Sequence, residues 1–199
     1  MLILDHLAVA CDDLAKGTAW VEAQLGVEMQ PGGKHLRYGT HNTLLGLGDD
    51  LYLEVIAKDP DAAPYDGPAW FGLDHFSGPP RLGNWICQSD DIVSAPEFAG
   101  APQALTRGDL AWQITVPQDG SLPYGGAYPT LIAWAPGTVH PARRLKDQGC
   151  RLVRFTITHP EADHLRRIVS LDDARVQFQT GPAGFAAEFD TAQGRHSLG

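Results

Sequence analysis

The residues best able to do chemistry lie close together near the start of the chain. His6 stands inside the apolar stretch "LILDHLAVA", and "GGKHLRYGTHNTLLGLGDDLYLEVIA" (residues 32–57) holds His35, His41 and Glu54 among apolar neighbours. Glu54 poses the sharpest question, because a carboxylate buried in a strand as apolar as LYLEVIA is costly unless a charge or a hydrogen-bonding group meets it. Imidazole and carboxylate side by side can pass a proton, hydrogen-bond to each other or hold a divalent metal. An ion pair from Glu54 to Lys34 or Arg37 across the hairpin is the structural alternative. Glu54 and His41 are the candidate catalytic residues. His35, Arg37, Tyr38 and Asn42 can supply a cation and hydrogen-bond donors to a carbonyl or anionic substrate, and Thr40 and Asn42 also suit ordinary turn chemistry.

The elements that must position these groups follow a regular order. LILDHLAVAC reads as a strand. DDLAKGTAWVEAQLG reads as a helix, capped by Asp12 or Asp13 and stopped by Gly26. Strands VEMQPGGKHLRYG, NTLLGLG and LYLEVIA complete a βαβββ unit. In LYLEVIA side chains alternate, so Leu51, Leu53, Val55 and Ala57 pack on the helix while Tyr52, Glu54 and Ile56 point the other way. By the same alternation His6 shares a face with Leu4 and Ala8. If the first and last strands of the unit are neighbours, His6 and Glu54 meet across the sheet.

The order then recurs. GNWICQSDD is a strand, DDIVSAPEFAG a short helix, and PQALTR, LAWQITVP and PTLIAWAP are strands. One offset of 78 places residue 12 on 90, 53 on 131 and 57 on 135, pairing like with like at both ends of the unit. A shorter third pass runs through CRLVRFTITHP, the helix PEADHLRRIV, ARVQFQTG and GFAAEFDT. The expected organisation is a first unit over residues 1–57, a connecting arm over 58–80, a second unit over 81–136, a linking helix over 137–150 and a third unit over 151–199. The Pro- and Gly-rich arm is long for a plain loop and reads as a lid or packing arm. Trp134 shares a face with Thr130 and Ile132 and can wall a cavity. Trp112 reads chiefly as core. His140, just before Pro141, reads as a cap or packing residue, and His196 lies in a tail expected to fray.

Composition excludes several classes. The 199 residues are 43% hydrophobic and 20% charged, as in a globular protein, and the formal net charge is -9. No basic face for nucleic acid is present. No apolar run spans a membrane, and the N-terminus carries acids where a signal peptide needs positive charge. The three cysteines, Cys11, Cys87 and Cys150, are far apart and without CxxC spacing, which suits buried thiols in a reducing cytoplasm. Walker A, G-x-S-x-G and HExxH patterns are all missing.

A βαβββ unit with a His in its first strand and a Glu in its last resembles the glyoxalase/bleomycin-resistance/extradiol-dioxygenase group, the vicinal oxygen chelate superfamily. The likeness to its glyoxalase-like branch is carried by DHLAVACDDL, by residues 32–57, by LAWQITVP with PTLIAWAPGTVHPA, and by the terminal GPAGFAAEFDT. The resemblance implies an α+β fold: repeated βαβββ units whose curved mixed sheets surround a cavity, with helices outside. It also implies one divalent ion (Zn, Fe, Mn or Ni) held by a first-strand residue and a last-strand carboxylate from each unit. His6 and Glu54 match the first pair. The offset of 78 puts Asn84 and Ile132 at the second pair, and Ile132 offers no ligand. Glu188 in GFAAEFDT is placed much as Glu54 is and stands as a third metal-ligand candidate. The implied function is a metal-dependent lyase, isomerase or dioxygenase acting on a carbonyl or hydroxyl substrate. The alternative is a protein that binds and sequesters a small ligand, as bleomycin-resistance members do, with a homodimer compatible with either.

Overall fold

A computed structural model of the chain describes residues 1–64 and 67–199; positions 65 and 66, within the connecting arm, lie outside the described residues. Two helices and twelve strands form an α+β fold with two curled sheets. The first unit is β1 (Leu2–Ala10), α1 (Leu14–Leu25), β2 (Gln30–His35), β3 (Thr40–Gly46) and β4 (Tyr52–Lys58). The second contains β5 (Arg81–Ser89), β6 (Ala101–Arg107), β7 (Leu110–Val116) and β8 (Thr130–Trp134). Together they make one eight-stranded sheet in the order β2-β3-β4-β1-β5-β8-β7-β6. β1 runs parallel to β4 and β5 parallel to β8, while β1 and β5 meet antiparallel at the centre. The sheet curls until its edge strands β2 and β6 touch through side chains, with Arg107 Nη1 of β6 donating to His35 Nε2 of β2 at 3.1 Å. The concave face therefore becomes a cup.

Each side of the sheet is chosen by the alternation of apolar residues. Leu51, Leu53, Val55 and Ala57 join Val21 and Leu25 of α1 in the outer core. Asp13 caps α1, its side chain accepting from Lys16 N, and Gly26 ends it in the left-handed conformation at φ 65. Ala8, Ala10, Ile56, Ile86, Ile114 and Ile132 line the concave side.

The second unit has no counterpart of α1. DDIVSAPEFAG folds as two single turns of 3₁₀-helix, Ile92–Ser94 and Glu97–Ala99: Asp91 caps the first, and Pro96 keeps it from continuing into the second. The space is filled by the third unit instead: β9 (Arg151–Thr158), α2 (Ala162–Ile168), β10 (Val176–Gln179), β11 (Gly184–Thr191) and β12 (Gly194–Leu198). Its four-stranded sheet, β10-β9-β11-β12, buries Phe155, Phe189 and Leu198 in the same outer core as Trp85 of β5. The third unit thus covers the back of the cup and adds nothing to its interior. The expected frayed tail is instead β12, paired along β11. The expected linking helix at 137–150 is a single 3₁₀ turn, Pro141–Arg144. Among the described residues no helix is long and apolar enough to cross a membrane, and all three cysteines are buried and free.

Candidate functional site

Among the described residues, fifteen line the interior of the cup, including His6, His35, Asn42, Tyr52, Glu54 and Arg107. The parallel ladder sets His6 beside Tyr52 and Ala8 beside Glu54. His6 Nε2 and Glu54 Oε2 stand 3.7 Å apart, both side chains about 5% exposed. The Tyr52 ring stacks on His6 at 4.3 Å and fixes its plane. Neither Lys34 nor Arg37 pairs with Glu54: Lys34 lies 2.7 Å from Asp59, and Arg37 reaches Gln103.

The residue that organises the site was not visible as a candidate in the sequence. Asp5 is fully buried. Its Oδ1 lies 2.5 Å from His6 Nδ1, and its Oδ2 accepts from Trp134 Nε1 at 2.9 Å and from His140 Nε2 at 3.0 Å. Strict alternation would send Asp5 to the helix side. The β1–β5 ladder shifts register between Leu4 and His6, leaving Asp5 as the extra residue of a bulge, and a bulge turns consecutive side chains to one face. The same shift corrects the face assigned to Leu4, which packs in the outer core with Leu7 and not beside His6. A signal existed: Leu4 and Leu7 are apolar at a spacing of three, which an unbroken strand cannot place on one side. Burial would raise the Asp5 pKa, but hydrogen bonds from His140 and His6 outweigh it and hold Asp5 ionised well below the usual carboxylate range. His140 both caps and reaches the site, since its Nδ1 accepts from Ala142 N at 3.3 Å. This fixes Nε2 as the protonated nitrogen facing Asp5.

Glu54 is held from the other side. Asn42 Nδ2 donates to Glu54 Oε1 at 2.5 Å. Asn42 is itself oriented through Oδ1, which accepts from Gly33 N at 2.7 Å and Arg107 Nη1 at 3.5 Å. The approach requires glycine. The β2–β3 ladder shifts between Pro31 and Lys34, and a Cβ on Gly32 would stand 2.0 Å from Asn42 Oδ1, while one on Gly33 would stand 2.8 Å from Arg107 Cδ. Arg107 arrives from the far edge strand and donates to His35 Nε2 at 3.1 Å. That forces the proton of neutral His35 onto Nδ1, toward Thr40 Oγ1 at 2.9 Å. Burial, reinforced by the Arg107 charge, pushes the His35 pKa down to about 3, so the ring is neutral. Both Arg107 contacts use Nη1, so its other nitrogens remain as donors for a ligand.

Of the candidate residues, His6, Glu54, His35, Asn42 and Trp134 come together in the cup. The others do not. His41 alternates with Asn42 and so points outward, its Nδ1 3.9 Å from Asp59. Arg37 is exposed on the rim, and Tyr38 is buried behind the wall, stacked on Trp70 at 4.6 Å. Glu188 lies on β11 in the second sheet, facing Arg154 at 3.6 Å and Arg195 at 4.0 Å. Trp112 is buried in the core as expected and also lines the cup, and Arg107 was missed because nothing in "LTRGD" distinguishes it from a turn-flanking surface cation.

The donor set decides the metal question. The β5–β8 ladder pairs Gln88 with Ile132 as β1–β4 pairs Ala8 with Glu54. Ile86 therefore occupies the second unit's equivalent of His6, correcting the assignment of Asn84. Asn84 is instead consumed by Thr130 Oγ1 and Trp85 N, at 2.9 and 2.8 Å. With isoleucines at both second-unit positions and Glu188 outside the cup, His6 and Glu54 are the only two donors of the implied set. Catalytic transition-metal sites use three or more protein ligands, and among the described residues no group of three or more His, Cys, Asp or Glu is placed to hold an ion. Arg107 adds a fixed positive charge nearby. The cup does not fit the divalent ion that the resemblance implies.

The chain is similar to several known proteins. The glyoxalase-like domain family matches residues 4–172. A crystal structure of a hypothetical protein from Staphylococcus aureus superposes with a TM-score of 0.62 at 13% identity, covering 92% of this chain and 87% of that one. A methylmalonyl-CoA epimerase complex has a TM-score of 0.44 at 16% identity over 69% of this chain and 96% of that one. A xylose isomerase-like TIM barrel/4-hydroxyphenylpyruvate dioxygenase fusion protein has a TM-score of 0.40 at 14% identity, covering 96% of this chain and 31% of that one. No curated protein sequence matches the chain.

Proposed function

Since the chain belongs to the glyoxalase-like domain family of the vicinal oxygen chelate superfamily, we propose that it is a small-molecule enzyme that moves a proton beside a carbonyl group using side chains alone. The carrying observation is that His6 Nε2 and Glu54 Oε2 face each other at 3.7 Å while their other polar atoms are committed to Asp5 and Asn42. In this reading Glu54 Oε2 takes a proton from the carbon next to the carbonyl. The carbonyl oxygen, gaining negative charge as the enolate forms, accepts from Arg107. His6, oriented by Asp5 as a histidine is oriented in a triad, holds the proton or returns it to carbon or oxygen. Return to the same carbon is exchange or epimerisation, and return elsewhere is isomerisation. With two carboxylates against one guanidinium, a neutral carbonyl suits the cup better than a multiply charged anion.

The test is exchange of carbon-bound protons in D₂O, followed by proton NMR on a panel of ketones, hydroxyketones and hydroxyaldehydes. Exchange that survives EDTA and falls about 100-fold or more in Glu54→Gln is expected. Exchange lost on chelation and restored by one metal ion would overturn the metal-free reading. Tight binding without exchange would support a sequestering protein instead.

A further inference from the structure

The space inside the cup is about 30 Å³, enough for one or two waters but not for an organic substrate. Directly beyond it is a much larger cleft of about 540 Å³, within the range of small-molecule sites. Phe71 lines both. The two spaces share the concave face of β1: His6 lines the cup and Ala10 the cleft, four positions along the strand, a span of roughly 13 Å. Phe71, Phe76, Leu82, Leu122 and Phe185 give the cleft an apolar lining, and at its rim Arg81 sits over the Phe76 ring at 4.1 Å, tied to the Ser77 carbonyl.

The partition is built to differ from its support. Trp70 is anchored: Nε1 donates to Thr40 Oγ1 at 3.1 Å, and its ring stacks on Tyr38. Phe71 stacks on Trp70 at 5.0 Å and holds a left-handed backbone at φ 59, a conformation that side chains with a Cβ rarely keep without a reason.

Resting on the proton-transfer reading of the cup, we infer that the substrate is elongated and amphipathic. Its carbonyl head enters the cup at His6, Glu54 and Arg107, and an uncharged alkyl or aryl tail lies in the outer cleft after displacing Phe71. A head alone makes few contacts in so small a space. Tail burial supplies the affinity, and chain length is what the protein selects.

The probe is a series of methyl ketones, 2-butanone, 2-hexanone and 2-nonanone, in the same exchange assay. Each methylene fully buried favours binding about fourfold, so KM is expected to fall at least about tenfold across the series in the unaltered protein. Gly184 lines the cleft, and a Cβ there meets nothing within 4 Å. Gly184→Trp therefore puts an indole at the cleft wall with no clash at its Cβ, and the ratio of KM values should collapse toward one. Leu122→Asn, in another wall segment, should shrink the same ratio. Exchange that is abolished by Glu54→Gln but insensitive to chain length overturns the tail inference and leaves the cup reading standing. A chain-length effect that survives Gly184→Trp also overturns it. Exchange of none of the ketones defeats the cup reading, and the tail inference with it.

Discussion

Replacing Asp5 with Asn tests the organisation of the site at its centre. Asp5 offers Oδ1 to His6 and Oδ2 to both His140 and Trp134. Asparagine keeps one acceptor oxygen and turns the other into a donor. If the new amide nitrogen faced Trp134, it would oppose an indole N–H that cannot accept, in a fully buried place. The oxygen must therefore stay on the Trp134 and His140 side, and the nitrogen must face His6. His6 Nδ1 then has to accept, which moves its proton to Nε2, toward Glu54. Three charge-assisted hydrogen bonds become ordinary ones, each weaker by roughly 1 kcal/mol, so about 2–3 kcal/mol of stability should be lost. Proton exchange should fall about 100-fold or more, because His6 can no longer receive a proton at Nε2. Urea unfolding reads the first effect, and nitrogen-15 NMR of the imidazole reads the tautomer directly. A variant with unchanged stability, His6 still protonated at Nδ1 and full exchange would refute the assignment of Asp5 as the positioning residue.

Gly32→Ala should disconnect Glu54 at a distance. Its Cβ would stand 2.0 Å from Asn42 Oδ1 and 2.7 Å from the Asn42 carbonyl oxygen, so Asn42 must rotate away and the β2–β3 edge must shift locally; exchange should drop while circular dichroism stays native, and wild-type rates would show that Asn42 does not position Glu54. Acid stability should report His35. Its folded pKa, about 3, lies below the ordinary 6.5, so the unfolded chain binds more protons between these values and stability falls as pH drops from 6.5 toward 3. The loss should be about 1–3 kcal/mol for this part-exposed ring, and urea midpoints at pH 4.5 and 7 should converge in His35→Gln. Asp5, also depressed, adds its loss only below its ordinary 3.8, so it does not contribute between pH 4.5 and 7. Glu188→Gln should leave exchange untouched and change stability by less than about 0.5 kcal/mol, as its pairs with Arg154 and Arg195 are part-exposed; a loss of exchange would return Glu188 to the site.

Much of this protein was legible without coordinates. Alternation in LYLEVIA placed Glu54 on the concave face because a strand's period of two leaves no choice once Leu53 and Val55 are committed to the helix. Asp13 and Gly26 bracket α1 by local chemistry, and the recurring strand order is matched in the two halves of the eight-stranded sheet. Such features depend on neighbours in sequence, so sequence carries them. What it could not carry was everything that depends on register and closure. A single bulge turned Asp5 inward beside His6, and a second unit two residues shorter between its first and last strands made Ile86, and not Asn84, the equivalent of His6. Curling of the sheet brought Arg107 from the last edge strand to His35 and Asn42, residues more than sixty positions earlier. The third unit, which repeats the pattern that made Glu188 look like a ligand, packs behind the cup because the second unit lacks a helix to cover its own strands. Period and capping are local free-energy preferences. Which carboxylate faces which imidazole was decided only when the eight strands closed and one residue too many had to fit in the ladder.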